Sequence, residues 1–167
     1  MKNIFLIFLI FFIGHRTLAD KILNQENLND ICSWSDSNET RLLCTVTLIR
    51  SVEEGAFYMM ANLKELSLST NIINSISPSA FRNLVNLEML DLKTNELETL
   101  DSDLFKTLVN LRRLYLNDNR LRKIESNLFS SLVNLRLLDI KQNQLESIEA
   151  VTFDNLKKLD ELSLFYN

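Results

Sequence analysis

A period of 24 residues governs most of this chain and limits the folds that it can adopt. From Leu63 onward the pattern LxxLxLxxNxLxxLxxxxFxxLxN, with isoleucine allowed for leucine, occurs four times without a gap and begins again at Leu159. A repeat of this length cannot bury its own apolar face, so neighbouring repeats must stack into one continuous core. The sequence therefore predicts a solenoid with an extended surface, an architecture that usually binds other molecules.

The alternating leucines in the first part of each repeat have the two-residue period of a β-strand. The predicted strands are Glu65–Ser69, Met89–Lys93, Arg113–Asn117, Leu137–Lys141 and Glu161–Phe165. A degenerate first repeat at residues 39–62 adds one more strand, so we expect a parallel sheet of six. Successive side chains of a strand point to opposite faces, so the residues between the leucines should face solvent on the concave side.

Two further residue types recur every 24 residues. Asparagines stand where the predicted strands end, at Asn71, Asn95, Asn119, Asn143 and Asn167. A buried amide both donates and accepts hydrogen bonds, so this series should satisfy backbone groups that no ladder pairs. The second series is Phe57, Phe81, Phe105, Phe129 and Phe153. Its strict spacing predicts a spine of stacked core rings rather than a cofactor site.

The chain begins with the features of a secretory signal peptide. A run of ten apolar residues, Ile4–Ile13, precedes a small-x-small cleavage site that ends at Ala19. The run is shorter than the roughly 20 residues that a membrane-spanning helix needs, so cleavage is preferred over a membrane anchor. The predicted domains are a signal peptide (1–19), an N-terminal cap (20–62) and the repeats (63–167). Residues 20–31 of the cap are expected to be a short helix or a loop.

Charge and composition exclude several functions. Cleavage after residue 19 leaves 16 basic and 22 acidic residues, a net charge of −6, and no histidine. Nucleic acid is therefore not an expected partner, because its binding needs clustered basic residues. The lack of histidine removes the commonest general base and metal ligand, so no catalytic residue, cofactor or metal is predicted. Carboxylate pairs such as Asp91 and Asp139 leave an enzyme as a remote alternative. No second segment is apolar enough to cross a membrane.

The two cysteines, Cys32 and Cys44, lie just before the repeats. In an oxidising compartment an even count predicts a disulfide, the alternative being two buried thiols. Cys44 falls on a leucine position of the degenerate repeat, so a bond to Cys32 would cover the open edge of the first strand. Between them, Asn38-Glu39-Thr40 is an N-glycosylation acceptor, and Asn38 is predicted to carry a glycan.

On its repeat motif, the chain resembles the extracellular, 24-residue class of leucine-rich repeat proteins, found in Toll-like receptor ectodomains, Slit-like proteins and secreted insect immune proteins. The resemblance covers about residues 31–167. It implies an α/β fold, a horseshoe-shaped solenoid with a parallel concave sheet and an N-terminal disulfide cap. Caps of this class commonly hold four cysteines, whereas this one holds two. The resemblance implies extracellular binding and carries over no ligand-contacting residue.

Ligand contacts are expected at the variable positions of the strands. The centre of the predicted concave face carries Met89, Arg113, Tyr115 and Leu137. These types are enriched at protein interfaces, although single apolar residues are also ordinary on a surface. The sequence thus predicts a secreted or cell-surface module that binds an extracellular protein through these four residues. Basic residues in the third repeat make a heparin-like ligand conceivable, but the mixed charge of the face favours a solvated surface.

The end of the sequence bears on the alternatives. The chain stops at Asn167, part-way through a repeat and without a second cysteine cluster. We therefore expect it to be the front part of a longer protein, and the main alternative to a secreted module is the N-terminal part of a transmembrane receptor ectodomain. The other interpretation is a short chain that leaves its last strand exposed or pairs it with another molecule, so oligomerisation is possible.

Overall fold

A computed structural model describes residues 21–45 and 47–167, so the predicted signal peptide lies outside the described residues. Ten strands are present in the described part: β1 (Lys21–Leu23), β2 (Ser33–Trp34), β3 (Arg41–Leu43), β4 (Ile49–Val52), β5 (Glu65–Ser67), β6 (Ser75–Ile76), β7 (Met89–Asp91), β8 (Arg113–Tyr115), β9 (Leu137–Asp139) and β10 (Glu161–Ser163). The helical elements of this described part are a single turn, α1 (Leu28–Ile31), and a 3-10 helix (Ala150–Phe153). Most of the chain between strands is therefore turn and extended connection.

The main sheet has seven strands in the order β10-β9-β8-β7-β5-β3-β2. From β3 to β10 all neighbours are parallel and shifted by one 24-residue repeat, so equivalent leucines stand side by side. These leucines are Leu42, Leu66, Leu90, Leu114, Leu138 and Leu162. The predicted solenoid with a parallel sheet is confirmed. The seventh strand, β2, pairs antiparallel with β3 and was not predicted.

Each repeat strand is shorter than the sequence predicted. The strands end at Ser67, Asp91, Tyr115, Asp139 and Ser163, two residues before the predicted ends. Hydrogen bonds to the next coil continue past the strand, since the N–H of Leu68 donates to the carbonyl of Asp91 at 2.8 Å. Thr70 then adopts a φ of 56°, which turns the chain away from the sheet. The equivalent residues Thr94, Asp118, Gln142 and Tyr166 also have positive φ, so the turn is common to the coils from Leu63 onward.

The asparagine series is structural, as predicted. In Asn95, Oδ1 accepts the backbone N–H of Ile73 at 3.0 Å, while Nδ2 donates to the carbonyls of Leu68 and Leu92, each at 3.0 Å. The same pattern, displaced by one repeat, holds for Asn71, Asn119 and Asn143. Each side chain therefore joins its own turn to the preceding coil and satisfies backbone groups that would otherwise be buried without partners.

The phenylalanine spine is confirmed as well. Phe57, Phe81, Phe105 and Phe129 are fully buried, and Phe153 is half-buried in the last coil. The rings of Phe57 and Phe81 stack with centroids 6.0 Å apart, and the rings from Phe105 through Phe129 to Phe153 stack at 6.3 and 6.5 Å. Core rings of this kind stabilise neighbouring coils through burial and ring contacts.

The cap holds the predicted disulfide between Cys32 and Cys44, which joins β2 to the end of β3. The prediction for residues 20–31 was only partly right, because the helix is accompanied by a strand. Strand β1 pairs in parallel with β4, and β4 pairs with β6, so a second sheet of three strands forms. The partner of β1 lies more than 20 residues away in sequence, which is why the local pattern did not reveal it.

Candidate ligand-binding site

The concave face of the main sheet brings three of the predicted contact residues into one row. Met89 on β7 pairs in register with Arg113 on β8, and Arg113 pairs with Leu137 on β9. Adjacent strands are about 4.8 Å apart, so the three side chains are immediate neighbours. Met89 and Leu137 are half-buried and Arg113 is exposed. A cation thus lies between two apolar groups.

Tyr115 lies two residues further along β8 and therefore on the same face. Its register partners on the flanking strands are Asp91 and Asp139. The tyrosine is half-buried between these two carboxylates. Together with the row of Met89, Arg113 and Leu137 it forms one continuous surface, which we call the concave patch.

Arg113 is held by an ion pair that the sequence did not reveal. One of its guanidinium nitrogens lies 2.9 Å from a carboxylate oxygen of Glu65, which is two strands away on β5. The arginine must therefore extend across the strand that carries Met89. Glu65 also receives Arg41 at 2.7 Å. These groups are partly exposed, so the network orients Arg113 more than it stabilises the fold.

Two lysines balance the carboxylates beside the concave patch. The ammonium of Lys93 lies 3.5 Å from Asp91 and 6.0 Å from the centroid of the Tyr115 ring. Lys141 lies 3.3 Å from Asp139. The middle of the concave face is therefore close to neutral, with charges of both signs within reach of one ligand. Such an arrangement favours a protein surface of mixed chemistry over a polyanion.

Several residues predicted to face solvent are largely buried instead. Ser67, Ser69, Asp91 and Asn117 are each less than a tenth exposed, because short side chains on closely spaced strands are covered by their neighbours. Asn117 has a further property. Its Nδ2 donates to Asp118 at 2.6 Å, but within the described part of the chain its buried Oδ1 has no hydrogen-bond partner. An unsatisfied acceptor thus lies near Tyr115, buried beneath the concave face, where it lowers the stability of the folded state.

A second asparagine row, on one flank of the solenoid, was missed by the sequence interpretation. It comprises Asn38, Asn62, Asn86, Asn110 and Asn134, spaced by 24 residues. These asparagines, together with the residue two positions after each of them and Lys158, line a groove of about 790 Å³, which we call the flank groove. The repeat consensus ends in asparagine, so the same periodic argument that identified the buried series was available for this one.

The predicted glycosylation residue, Asn38, is exposed at one end of the flank groove. Asp36 holds the turn around it, accepting the backbone N–H groups of Thr40 at 2.9 Å and Arg41 at 3.1 Å. The hydroxyl of Thr40 also donates to this carboxylate, and that hydrogen bond is the main reason why the pKa of Asp36 lies below its ordinary value. The acceptor triplet therefore has a defined conformation.

Within residues 21–45 and 47–167, no helix is both long and apolar enough to span a bilayer. In the same ranges no group of histidine, cysteine or acidic side chains is arranged to hold a metal ion.

A curved stack of 24-residue coils with a concave parallel sheet defines a leucine-rich repeat solenoid. The chain belongs to the leucine-rich repeat family, whose model matches residues 41–97, 61–121, 89–145 and 109–167. No curated protein matches the chain at a significant level.

Among solved structures, the chain is similar to Toll in the structure of the Drosophila Toll–Spatzle complex, described as a molecular hub in development and innate immunity. The TM-score is 0.69 with 31% identity over 71% of this chain. The glycosylated form of that complex gives a TM-score of 0.67 with 29% identity, again over 71% of this chain. The chain spans only 16% and 17% of the lengths of those two proteins. The shared fold supports a protein-interaction module.

Proposed function

We propose that this chain is a secreted or cell-surface module that recognises an extracellular protein through the concave patch of Met89, Arg113, Tyr115 and Leu137. The observation that carries the proposal is their arrangement on three adjacent strands, where one partner can cover all four. Tyrosine and arginine are the residue types that most often dominate binding energy when a partner desolvates them. The role is one of binding and involves no catalytic step.

Preorganisation supports the same site. The ion pair with Glu65 holds Arg113 across the sheet, so less side-chain entropy is lost when a partner binds.

Features of the N-terminal region support an extracellular location for the protein. The predicted signal peptide would direct the chain to the secretory pathway, and the bond between Cys32 and Cys44 is typical of oxidising compartments. We include in the proposal an N-linked glycan on Asn38, which is exposed within an acceptor triplet. No other asparagine of the sequence lies in such a triplet. A glycan at this position leaves the concave patch accessible, because Asn38 lies on the flank.

A second candidate keeps the same site but places it in a larger protein. The likeness to Toll favours a role as the ligand-binding part of a receptor ectodomain. The two candidates share the chemistry of the concave patch and differ in what the binding event controls. A secreted module would sequester or deliver its ligand, whereas a receptor would transmit the event across a membrane.

The experiment is a binding screen followed by matched variants. The secreted chain, made as a bivalent fusion, is tested by interferometry against a panel of purified extracellular proteins with Spatzle as its first member. For any partner found, the double variant R113A/Y115A should weaken binding about 30-fold, the equivalent of roughly 2 kcal/mol for a central anchor. The control is K106A, an exposed convex residue paired only with Asp103 at 3.5 Å among the described residues.

If R113A/Y115A has the circular dichroism and melting temperature of the wild type and still binds the partner unchanged, the concave patch is not the interface. Loss of binding in K106A as well would indicate general damage to the fold rather than a local contact.

A further inference from the structure

Asn38 stands at the head of the flank groove and is itself a member of the asparagine row that lines it. The spacing from Asn38 to Asn62 is the same 24 residues that separates the later members. The neighbouring row begins with Thr40, the third residue of the glycosylation triplet, and continues with Lys64. The position that would carry a glycan therefore opens directly into a groove of about 790 Å³. That volume lies within the range of about 300–1,000 Å³ that ligand sites occupy.

Three asparagines of the groove, Asn86, Asn110 and Asn134, donate hydrogen bonds to the preceding coil. Nδ2 of Asn86 donates to the carbonyl of Ala61 at 2.9 Å, and Nδ2 of Asn110 donates to the carbonyl of Val85 at 2.8 Å. With the nitrogen used in this way, the amide presents its oxygen to the groove. In Asn134 that oxygen accepts the ammonium of Lys158 at 2.7 Å, which shows that it meets donors that enter from the groove.

We propose that the N-linked glycan on Asn38 occupies the flank groove. There the glycan lies along the asparagine row and hydrogen-bonds to it. The proposal rests on glycosylation of Asn38. Sugar hydroxyls both donate and accept hydrogen bonds, and the groove supplies amide oxygens as acceptors with Lys64 and Arg112 as donors. Adjacent coils are about 4.8 Å apart, close to the length of one sugar unit, so successive sugars meet equivalent groups.

The charge of the groove favours this occupant over a polyanion. Four basic residues line it, but two are already paired: Arg112 lies 3.5 Å from Glu88, and Arg136 lies 3.1 Å from Asp160. A polyanionic chain would have to compete with these carboxylates along the groove. A neutral, polyhydroxylated chain can instead bond to the paired groups without separating them.

Covalent attachment makes weak contacts sufficient. The bond forms between Nδ2 of Asn38 and the anomeric carbon of a lipid-diphosphate-linked oligosaccharide; the diphosphate leaves with the bonding electrons and Nδ2 loses one proton. Once attached, the sugars meet the groove at the high effective concentration of a tethered ligand. The turn that Asp36 fixes through Thr40 and Arg41 limits the directions in which the glycan can leave Asn38.

A second cavity beside Asn38 is the alternative binding site for the glycan. It is lined by Trp34, Met59, Met60 and Leu63, with a volume of about 380 Å³. Apolar faces of sugars stack on aromatic rings, so the first sugar has a possible place there. The flank groove has about twice the volume and continues along the solenoid, and for this reason we assign the glycan to it. Trp34 is the only tryptophan in the sequence, so its fluorescence distinguishes a glycan in this cavity from one in the flank groove.

The experiment compares glycan release from folded variants. The chain is secreted from a eukaryotic host, and intact mass establishes whether Asn38 is occupied. Peptide-N-glycosidase is then applied without denaturant to the wild type and to K64A/R112A. Removing two donors from the groove should raise the rate of release about tenfold, the scale of one or two hydrogen bonds. The control K106A/R122A changes two exposed basic residues outside the groove and should release the glycan at the wild-type rate.

Thermal stability provides a second readout. Enzymatic release leaves aspartate at position 38, so N38D is the matched unglycosylated reference. The glycosylated wild type should melt above N38D, and this difference should vanish when K64A/R112A is present in both. A relocated glycan tests for general effects of glycosylation. N38Q/K157T moves the acceptor triplet to Asn155, an exposed residue outside the groove, where the glycan should give no stability that depends on Lys64 and Arg112.

Three results would overturn the proposal, and none of them depends on a protein ligand. If Asn38 carries no glycan, both the glycosylation and the binding of a glycan in the groove are contradicted. If the wild type and K64A/R112A release the glycan at equal rates, the glycan is present but does not bind in the groove. A change of Trp34 fluorescence on release, with K64A/R112A inert, assigns the glycan to the other cavity. If K64A/R112A fails to fold, R136A applies the same test from a single position further along the groove.

Discussion

In the coils from Leu63 to Lys158 the strand pairs and the buried asparagine bonds have copies 24 residues away, whereas in the cap, residues 21–62, most contacts occur once. A coil is joined to the next by the same leucine pairs, the same asparagine bonds and the same ring contacts. The cap relies on one disulfide, one antiparallel strand and one carboxylate, that of Asp36.

The difference shows two ways of protecting the edge of a parallel sheet. Inside the array each coil covers the edge of its neighbour, so no special residue is needed. At the start of the array β3 has no preceding coil, and β2 covers it in the antiparallel direction with a covalent bond beside it. The stability of the coils is therefore distributed over many small terms, while that of the cap is concentrated in a few residues.

Breaking the disulfide should have the largest effect and should affect the cap first. Cys32→Ala removes the bond but leaves Cys44 as a small apolar side chain in its buried position. We expect a loss of about 3 kcal/mol in the free energy of unfolding, the value for a loop of this length. Hydrogen exchange should show loss of protection in β2 and β3 well before β8. Simultaneous loss in all three strands would mean that the cap and the coils unfold as one unit.

A buried asparagine should matter more than an exposed one in the neighbouring coil. Asn119→Ala leaves the buried N–H of Leu97 without its partner and removes one of the two side-chain hydrogen bonds to the carbonyl of Leu92, so the array should lose roughly 2 kcal/mol. Asn110→Ala removes one exposed bond, to the carbonyl of Val85, and should cost well under half as much. Urea denaturation of the two variants measures the ratio. Equal losses would show that burial does not set the value of these hydrogen bonds.

Thr152 is a polar residue in a buried position, and replacing it should stabilise the fold. It is 2% exposed, and its hydroxyl has no hydrogen-bond partner within residues 21–45 and 47–167. Thr152→Val keeps the shape and removes the unsatisfied group, so the unfolding free energy should rise by about 1 kcal/mol. The matched change Thr107→Val removes a hydroxyl that donates to the carbonyl of Phe81 and should lower it slightly. A lower melting temperature for Thr152→Val would show that its hydroxyl is satisfied in solution.

The smallest effect concerns the pH response of the cap. Because hydrogen bonds, above all that of the Thr40 hydroxyl, lower the pKa of Asp36 in the folded state, its carboxylate stabilises the turn above the ordinary aspartate pKa of about 3.9. That contribution should be lost as the pH falls through the lowered value. Amide exchange at Thr40 and Arg41 should accelerate there, while that of Leu114 in the coils should not. Asp36→Asn should abolish the pH dependence, and its persistence would assign the titration to another group.

The regular part of this molecule could be read from its sequence because each prediction was repeated several times. The strands, the buried asparagines and the stacked phenylalanines were placed correctly, since an error in one repeat would have contradicted the others. The strand ends were wrong by two residues, as the positive φ of Thr70 and its equivalents follows from the inward turn and not from residue type. Strand β1 was missed because a single short segment carries no such repetition.

The candidate site divides in the same way. That Met89, Arg113 and Leu137 are neighbours followed from the period, and the register of β7, β8 and β9 agrees with it. Their use as a binding site remains a prediction. The ion pair from Arg113 to Glu65 spans 48 residues, or two coils, and depends on the reach of a long side chain. The flank groove was visible in the consensus, but its volume and its connection to Asn38 required the coordinates.

The sequence by itself determined the coil: its length, its buried positions and the residue that closes each turn. It could do so because a periodic apolar pattern of this length is buried only when successive coils stack on one another. What the tertiary structure decided is how single residues use the surfaces that the coils create. Asn117 is buried with no partner for its oxygen among the described residues, and Arg113 lies across a neighbouring strand. These outcomes depend on side chains from other coils that meet at one point, and a one-dimensional pattern does not record which of them meet.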